Sequence, residues 1–161
     1  MYKSAVIGLG QIGYKMDEDP FRKLIWSHSK AYIKHDKSKL VAVSDLGKEK
    51  YYNFNKIHPS ISFYDNFKEM VELLDLDIIS ICTPTNTHLN IVKNILKINP
   101  PKAIFIEKPM GLDFLEANKI LNLCNDYNVV LAVNYMRRWV KKYKYIEDII
   151  LNKKYGRLPS L

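Results

Sequence analysis

Six short runs of apolar and β-branched residues, at 4–7, 40–44, 61–63, 78–82, 103–106 and 129–133, alternate with stretches of helical spacing along the chain. That alternation leaves few folds open. A strand followed by a helix rejoins the same sheet only by crossing over it, so the strands lie parallel and the helices pack on both faces. The expected fold class is α/β, a doubly wound parallel sheet in strand order 3-2-1-4-5-6, with a crevice at the carboxyl ends of strands one and four. Capping residues mark the helices. Asp65 precedes Phe67, Met70, Val71 and Leu74, one apolar stripe. Asp113 and Glu116 form a capping-box-like start, with Phe114, Ala117, Leu121 and Cys124 expected on the buried face. A third helix fits 86–98, with Asn86 as its N-cap and Pro100-Pro101 closing it.

A chain of 161 residues, 47% hydrophobic and 26% charged, is sized for one core and is too apolar for a disordered segment. No apolar run approaches the roughly 18 residues of a membrane span, and Met1 to Ser4 enter the first strand without a secretory leader. A cytoplasmic protein with no membrane partner is expected. Cys82 and Cys124 match no paired metal spacing and sit in apolar segments, so they read as buried thiols and no metal site is expected. The net charge of +8 is concentrated at 137–157, where eight cations face only Glu147 and Asp148. All but four of the 25 basic residues are lysine, which suits a solvated surface better than a nucleic-acid site.

Three of the six glycines occur in Gly8-Leu9-Gly10-Gln11-Ile12-Gly13, directly after the first strand. In such a G-x-G-x-x-G turn the first glycine permits the tight bend, the second lets backbone approach a pyrophosphate, and the third lets helix pack on strand. Backbone N–H groups at the helix start hold the negative charge. Gly8, Gly10, Gln11, Ile12 and Gly13 are therefore the candidate phosphate-binding residues, against the alternative of a merely structural turn. Asp45, at the end of the second strand, can accept both ribose hydroxyls; its charge would repel a 2′-phosphate, and no arginine follows closely. NAD is expected, with NADP disfavoured.

The interval from Gly13 to Asp45 exceeds the usual roughly twenty residues, and the excess is assigned to an excursion over 14–26, where Asp17-Glu18-Asp19-Pro20 interrupts any helix. Its three acids should point away from a pyrophosphate or over the sugar-binding side; a surface loop with no role is the equal alternative. His28, where the helix resumes, reads as a residue of a capped helix with no chemistry.

Further motifs follow later strands: Cys82-Thr83-Pro84-Thr85-Asn86-Thr87-His88, Glu107-Lys108-Pro109, and Ala132-Val133-Asn134-Tyr135-Met136-Arg137-Arg138. With the glycine turn and Asp45, they resemble the cofactor domain of the glucose–fructose oxidoreductase, inositol dehydrogenase and rhizopine-catabolism (Gfo/Idh/MocA) family. The resemblance implies a Rossmann fold, with the catalytic role falling to Lys108, beside the nicotinamide and the reacting carbinol. A lysine in a partly desolvated crevice should have a lowered pKa and could exchange a proton with the hydroxyl; the alternative is a solvated loop lysine. Glu107, Lys108 and Pro109 join the cofactor-binding set, Pro109 after a peptide bond that is often cis in the family. Thr83 and Pro84 would border the nicotinamide ribose. His88 is either a ribose-side contact or an ordinary first-turn histidine. Asn134 resembles a cofactor-side asparagine with a carboxamide contact, whereas Arg137 and Arg138 could belong to the basic surface.

The resemblance assigns 1–136 to the dinucleotide-binding domain and 137–161 to a basic helix and the start of a second α/β substrate domain, beginning at Lys153-Lys154-Tyr155-Gly156-Arg157-Leu158. That domain, with the family's acid–histidine pair, is missing, since no histidine follows His88. A truncated or fragmentary product is expected. Val140, Tyr143, Ile146 and Ile150 would then form a stripe without its partner surface, able to drive homo-oligomerisation. The expected function is an NAD-dependent oxidoreductase moving hydride between nicotinamide and a secondary alcohol or ketone of a sugar or cyclitol. The alternative is a non-catalytic NAD-binding sensor or regulator.

Overall fold

The computed structural model describes residues 1–156. Six strands, β1 (Tyr2–Ile7), β2 (Ser38–Ser44), β3 (Ser62–Tyr64), β4 (Ile78–Ile81), β5 (Ala103–Ile106) and β6 (Val130–Val133), pair in parallel in the order β3-β2-β1-β4-β5-β6. Between them run α1 (His28–Lys34), α2 (Lys48–Ile57), α3 (Phe67–Leu73), α4 (His88–Ile98) and α5 (Phe114–Asp126); α6 (Lys141–Leu151) follows β6. This is the order the alternation of elements predicts.

Side chains alternate across the pleat, and that period of two builds two unequal layers. Ala5, Ile7, Ile79, Ile81, Ile104 and Ile106 face one way and bury against Met70, Val71, Ile91, Val92, Ile95 and Ile120 of α3, α4 and α5. Val6, Leu40 and Val43 belong to a smaller cluster with Tyr14, Phe54 and Ile61. The middle strands are not apolar on both sides: Ser4 and Ser80 are fully buried. Ser80 meets α1, whose Tyr32 hydroxyl lies 2.8 Å from the Ser80 hydroxyl.

The excursion is an insertion into the first helix. After Gly13 the chain makes a 3₁₀ turn at Lys15–Glu18, loops outward and returns at Ser27, whose side chain caps α1 by accepting from the Lys30 N–H. On return, the N–H groups of His28 and Ser29 donate to the carbonyls of Ile12 and Gly13 at 3.0 and 3.1 Å. The acids are largely spent inside the excursion: Asp17 accepts from the Trp26 and Ser27 N–H groups, and Asp19 from those of Phe21 and the Arg22 side chain.

Several local expectations shift. Asn66, not Asp65, caps α3 by accepting from the Lys68 N–H. Asn86 caps nothing: Pro84 leads a 3₁₀ turn, Thr85–Thr87, in which Thr87 donates to the Pro84 carbonyl, and α4 begins only at His88. The capping pair of α5 forms, with Asp113 accepting from Glu116 N–H and the Glu116 carboxylate from Leu112 N–H. Its buried residues, however, are Ile120 and Cys124, while Phe114 and Leu121 are exposed. The preceding turn folds Gly111 against Ala117, leaving Phe114 at the surface. In α6 no residue is buried, and Val140, Tyr143, Ile146 and Ile150 all face solvent. The proposed domain start reaches Arg157 and Leu158, which lie outside the described residues.

Ile79 is fully buried in the strand between β1 and β5. Ile79→Ala should lower unfolding stability by about 3 kcal/mol, the middle of the range for such deletions, as read by urea denaturation.

Candidate functional site

The three glycines of the turn have three different reasons. Gly8 sits at φ +97°, and a Cβ there would lie 2.8 Å from the Cys82 carbonyl carbon and oxygen. At Gly13 a Cβ would fall 1.9 Å from the Gly8 carbonyl oxygen. Packing alone therefore demands both. Around Gly10 there is nothing within 4 Å; its missing side chain leaves open space over the turn.

The hydrogen bonding of the turn is one-sided. The carbonyls of Gly10, Gln11, Ile12 and Gly13 accept from Tyr14, Met16, His28 and Ser29. The N–H groups of the same four residues have no hydrogen-bond partner among the described residues. Four unpaired amides at the start of a helical turn make a positive pole suited to a diphosphate. These four are among the residues the sequence offers for phosphate binding, whereas the first amides of α1 are spent on Ile12 and Gly13.

A cleft of about 860 Å³ opens beside the turn, lined by Gly8, Gly10, Asp45, Lys50, Thr83 and Pro84 among others. Asp45 is held from three directions. Its Oδ2 accepts from the Leu9 N–H at 2.8 Å, its Oδ1 from the Gly47 N–H at 2.9 Å, and the Lys50 ammonium donates to both oxygens at 2.8 and 2.9 Å. Burial pushes the Asp45 carboxyl up, but the Lys50 hydrogen bond and charge, with the two amides, outweigh it and leave the group below the usual carboxylate range. Lys50 carries no signal in a search for arginine near Asp45; its place in the first turn of α2, five positions on, is what could have found it.

A separate buried polar cluster, whose members do not line this cleft, is built around Glu107. The His28 ring bridges Ser80, 2.9 Å from Nδ1, and Glu107 Oε1, 3.0 Å from Nε2. Asn134 Nδ2 also donates to Glu107 Oε1, and the Lys108 N–H donates to Oε2 at 3.3 Å. A carboxylate only accepts, which assigns the Nε2 proton to the Glu107 side and leaves Nδ1 to accept from Ser80. Ser80 in turn accepts from Tyr32, whose phenol burial pushes up to about 12 and so keeps it protonated. Burial raises the Glu107 carboxyl, yet the hydrogen bonds it accepts from His28, Asn134 and the Lys108 N–H overcome this and hold it low. His28, expected to carry no chemistry, is thus central to the cluster; its pairing across 79 residues leaves no local sequence signal. Burial, with Glu107 adding to it at Cys82, keeps both Cys82 and Cys124 as neutral thiols.

Other predicted site residues divide by position. Thr83 and Pro84 line the cleft, and Gln11 is exposed. Lys108 follows the cluster and is exposed, so this part of the chain does not supply the desolvation expected around it. The Lys108–Pro109 peptide bond is cis. His88 stands in the first turn of α4, as one of its two expected readings has it. Its ring is buried between two carbonyls, Thr83 3.0 Å from Nε2 and Met110 3.2 Å from Nδ1, and ties the loop after β4 to the loop after β5. The Asn134 amide nitrogen donates one of its two hydrogens to Glu107.

Known proteins place this architecture. Residues 2–135 match the model of an oxidoreductase family described as an NAD-binding Rossmann fold, GFO_IDH_MocA, and the chain belongs to that family. It is 36% identical over 90 residues to the rhizopine catabolism protein MocA of Rhizobium meliloti, covering 56% of this chain and 28% of that one. It is 26% identical over 152 residues to the myo-inositol 2-dehydrogenase of Thermotoga maritima, covering 94% and 41%. Among solved structures, myo-inositol 2-dehydrogenase from Lactobacillus plantarum superposes with a TM-score of 0.80 at 26% identity, covering 96% of this chain and 42% of the other. The chain thus spans less than half the length of these relatives. The fold is also shared, with a TM-score of 0.81 at 24% identity over 97% of this chain and 42% of the other, with scyllo-inositol dehydrogenase from Lactobacillus casei bearing NAD(H) and scyllo-inositol.

Two measurements check the site. Gly13→Ala should unfold at clearly lower urea than the parent because its Cβ meets backbone, whereas Gly10→Ala should unfold at nearly the same concentration. The lowered Glu107 value means its ionised form adds stability above the ordinary glutamate value of about 4.3, lost as pH falls below that toward the folded value. Glu107→Gln should therefore show a flatter fall of stability with acid than the parent.

Proposed function

We propose that the chain is the coenzyme-binding part of an NAD-dependent dehydrogenase that moves hydride between nicotinamide and a secondary alcohol or ketone of a sugar or cyclitol. The observation that carries this reading is the row of unpaired amides from Gly10 to Gly13, beside a cleft that Gly8 and Gly10 line and that runs from Asp45 to Thr83 and Pro84. The cleft fits a dinucleotide: the amides would hold its diphosphate, the bare Gly10 leaves room for it, and Asp45 would meet a ribose. When bound, NAD supplies the hydride acceptor.

The protein's part is to position and to move a proton. Glu107, fixed by His28 and Asn134, anchors the turn that presents Lys108. Lys108 Nζ would take the proton from the alcohol on oxidation and return it on reduction. Its exposure in this chain agrees with a further layer closing over it, and we assign 137–161 to the beginning of that layer. Inositol dehydrogenases among the relatives support a cyclitol as substrate.

Thermal unfolding in buffer, NAD and NADP tests the reading. Saturating NAD should raise the midpoint by roughly 5–10 °C, with a smaller rise for NADP; an unchanged midpoint with NAD overturns the proposal. Lys108→Ala should keep the NAD shift while abolishing polyol-dependent NADH formation wherever the parent shows it. Binding by the parent without turnover would favour a sensor.

A further inference from the structure

We propose that Lys50 is a coenzyme-specificity residue: by pairing with Asp45 it cancels the negative charge at the ribose end of the cleft and supplies an ammonium for a 2′-phosphate, so that the site separates NAD from NADP less sharply than Asp45 alone would. This role rests on a dinucleotide occupying the cleft.

The hydrogen-bond inventory of Asp45 leads there. A carboxylate has about four acceptor positions, and the Leu9 N–H, the Gly47 N–H and two contacts from Lys50 Nζ fill them. A ribose diol can donate to Asp45 only if a present donor yields. The two amides are backbone and stay with the turn. Lys50 is the donor that can move: its side chain is 34% exposed against 9% for Asp45, and it ends a flexible stem on α2. Both residues line the same cleft as Gly8 and Gly10, so Lys50 remains beside the ribose after it lets go.

Charge then decides selectivity. An isolated aspartate at the end of β2 repels a 2′-phosphate, whereas a nearby cation accommodates one. Here the two are a contact pair whose net charge is zero. An ammonium–phosphate contact at a partly buried position shifts affinity by roughly tenfold or more. NAD remains the better ligand because its ribose hydroxyls can reach Asp45, but the margin belongs to Lys50.

Fluorescence titration of NADH and NADPH against the parent, Lys50→Met and Lys50→Arg tests this, with circular dichroism reporting the fold. The Met variant keeps the stem and removes the charge. It should raise the ratio of NADPH to NADH dissociation constants by roughly tenfold or more, chiefly through weaker NADPH binding, while the Arg variant keeps the parent ratio. In the parent, added salt should weaken NADPH more steeply than NADH, a measurement that needs no variant. An unchanged ratio in Lys50→Met, an equal loss for both coenzymes, or equal salt slopes would overturn the role of Lys50 while leaving the dinucleotide site intact. Failure of the parent to bind either coenzyme would overturn both.

Discussion

Backbone pressed against backbone where β1 and β4 part is the constraint on which this site depends. Gly8 lies against the Cys82 carbonyl, and Gly13 against the Gly8 carbonyl, at distances no Cβ permits. With side chains excluded, the chain turns within a few residues of the end of β1 and the following helical turn comes down directly on the strand. Its carbonyls are then consumed by the segments that follow, while its amides have no partner among the described residues. Tight packing and an anion-binding pole are one arrangement seen from two sides.

A second constraint couples the phosphate end of the cleft to the turn bearing Lys108. Adjacent residues of α1 serve the two places: the Ser29 hydroxyl donates to the Gly13 carbonyl at 2.7 Å, while His28 reaches Glu107. Burying Ser80, His28, Glu107 and Asn134 would be costly if any were unpaired. Among the described residues no buried side-chain nitrogen or oxygen lacks a partner. The cluster draws on α1, β4 and the residues following β5 and β6, so it spans the sheet from its centre to its edge. A change at His28 would reach the Lys108 backbone through Glu107.

Much of this was legible in the chain. Parallel pairing followed from alternation and strand order from reading six strands as two mononucleotide-binding halves, and the packing reasons for Gly8 and Gly13 matched those their spacing implies. The excursion over 14–26 was visible in the excess length and in Pro20. Helix details were less secure: Asn66 caps α3 in place of Asp65, the 3₁₀ turn after Pro84 delays α4 past Asn86, and α5 starts at Asp113 as expected but buries Ile120 and Cys124 rather than the whole stripe from Phe114. The partners of Asp45 and Glu107 were not legible, since Lys50 and His28 look like ordinary helix residues until the sheet brings them to their carboxylates.

By itself the sequence determined the layered fold, the tight glycine turn and the residues at the carboxyl ends of the strands, because hydrophobic periodicity and glycine spacing act over short stretches of chain. Only the tertiary structure decided that His28 holds Glu107, that His88 bridges Thr83 and Met110, and that Asp45 is already paired with Lys50. Hydrogen bonds and ion pairs depend on distance and direction within a few tenths of an ångström, and no pattern along the chain encodes those until parallel strands bring distant residues together.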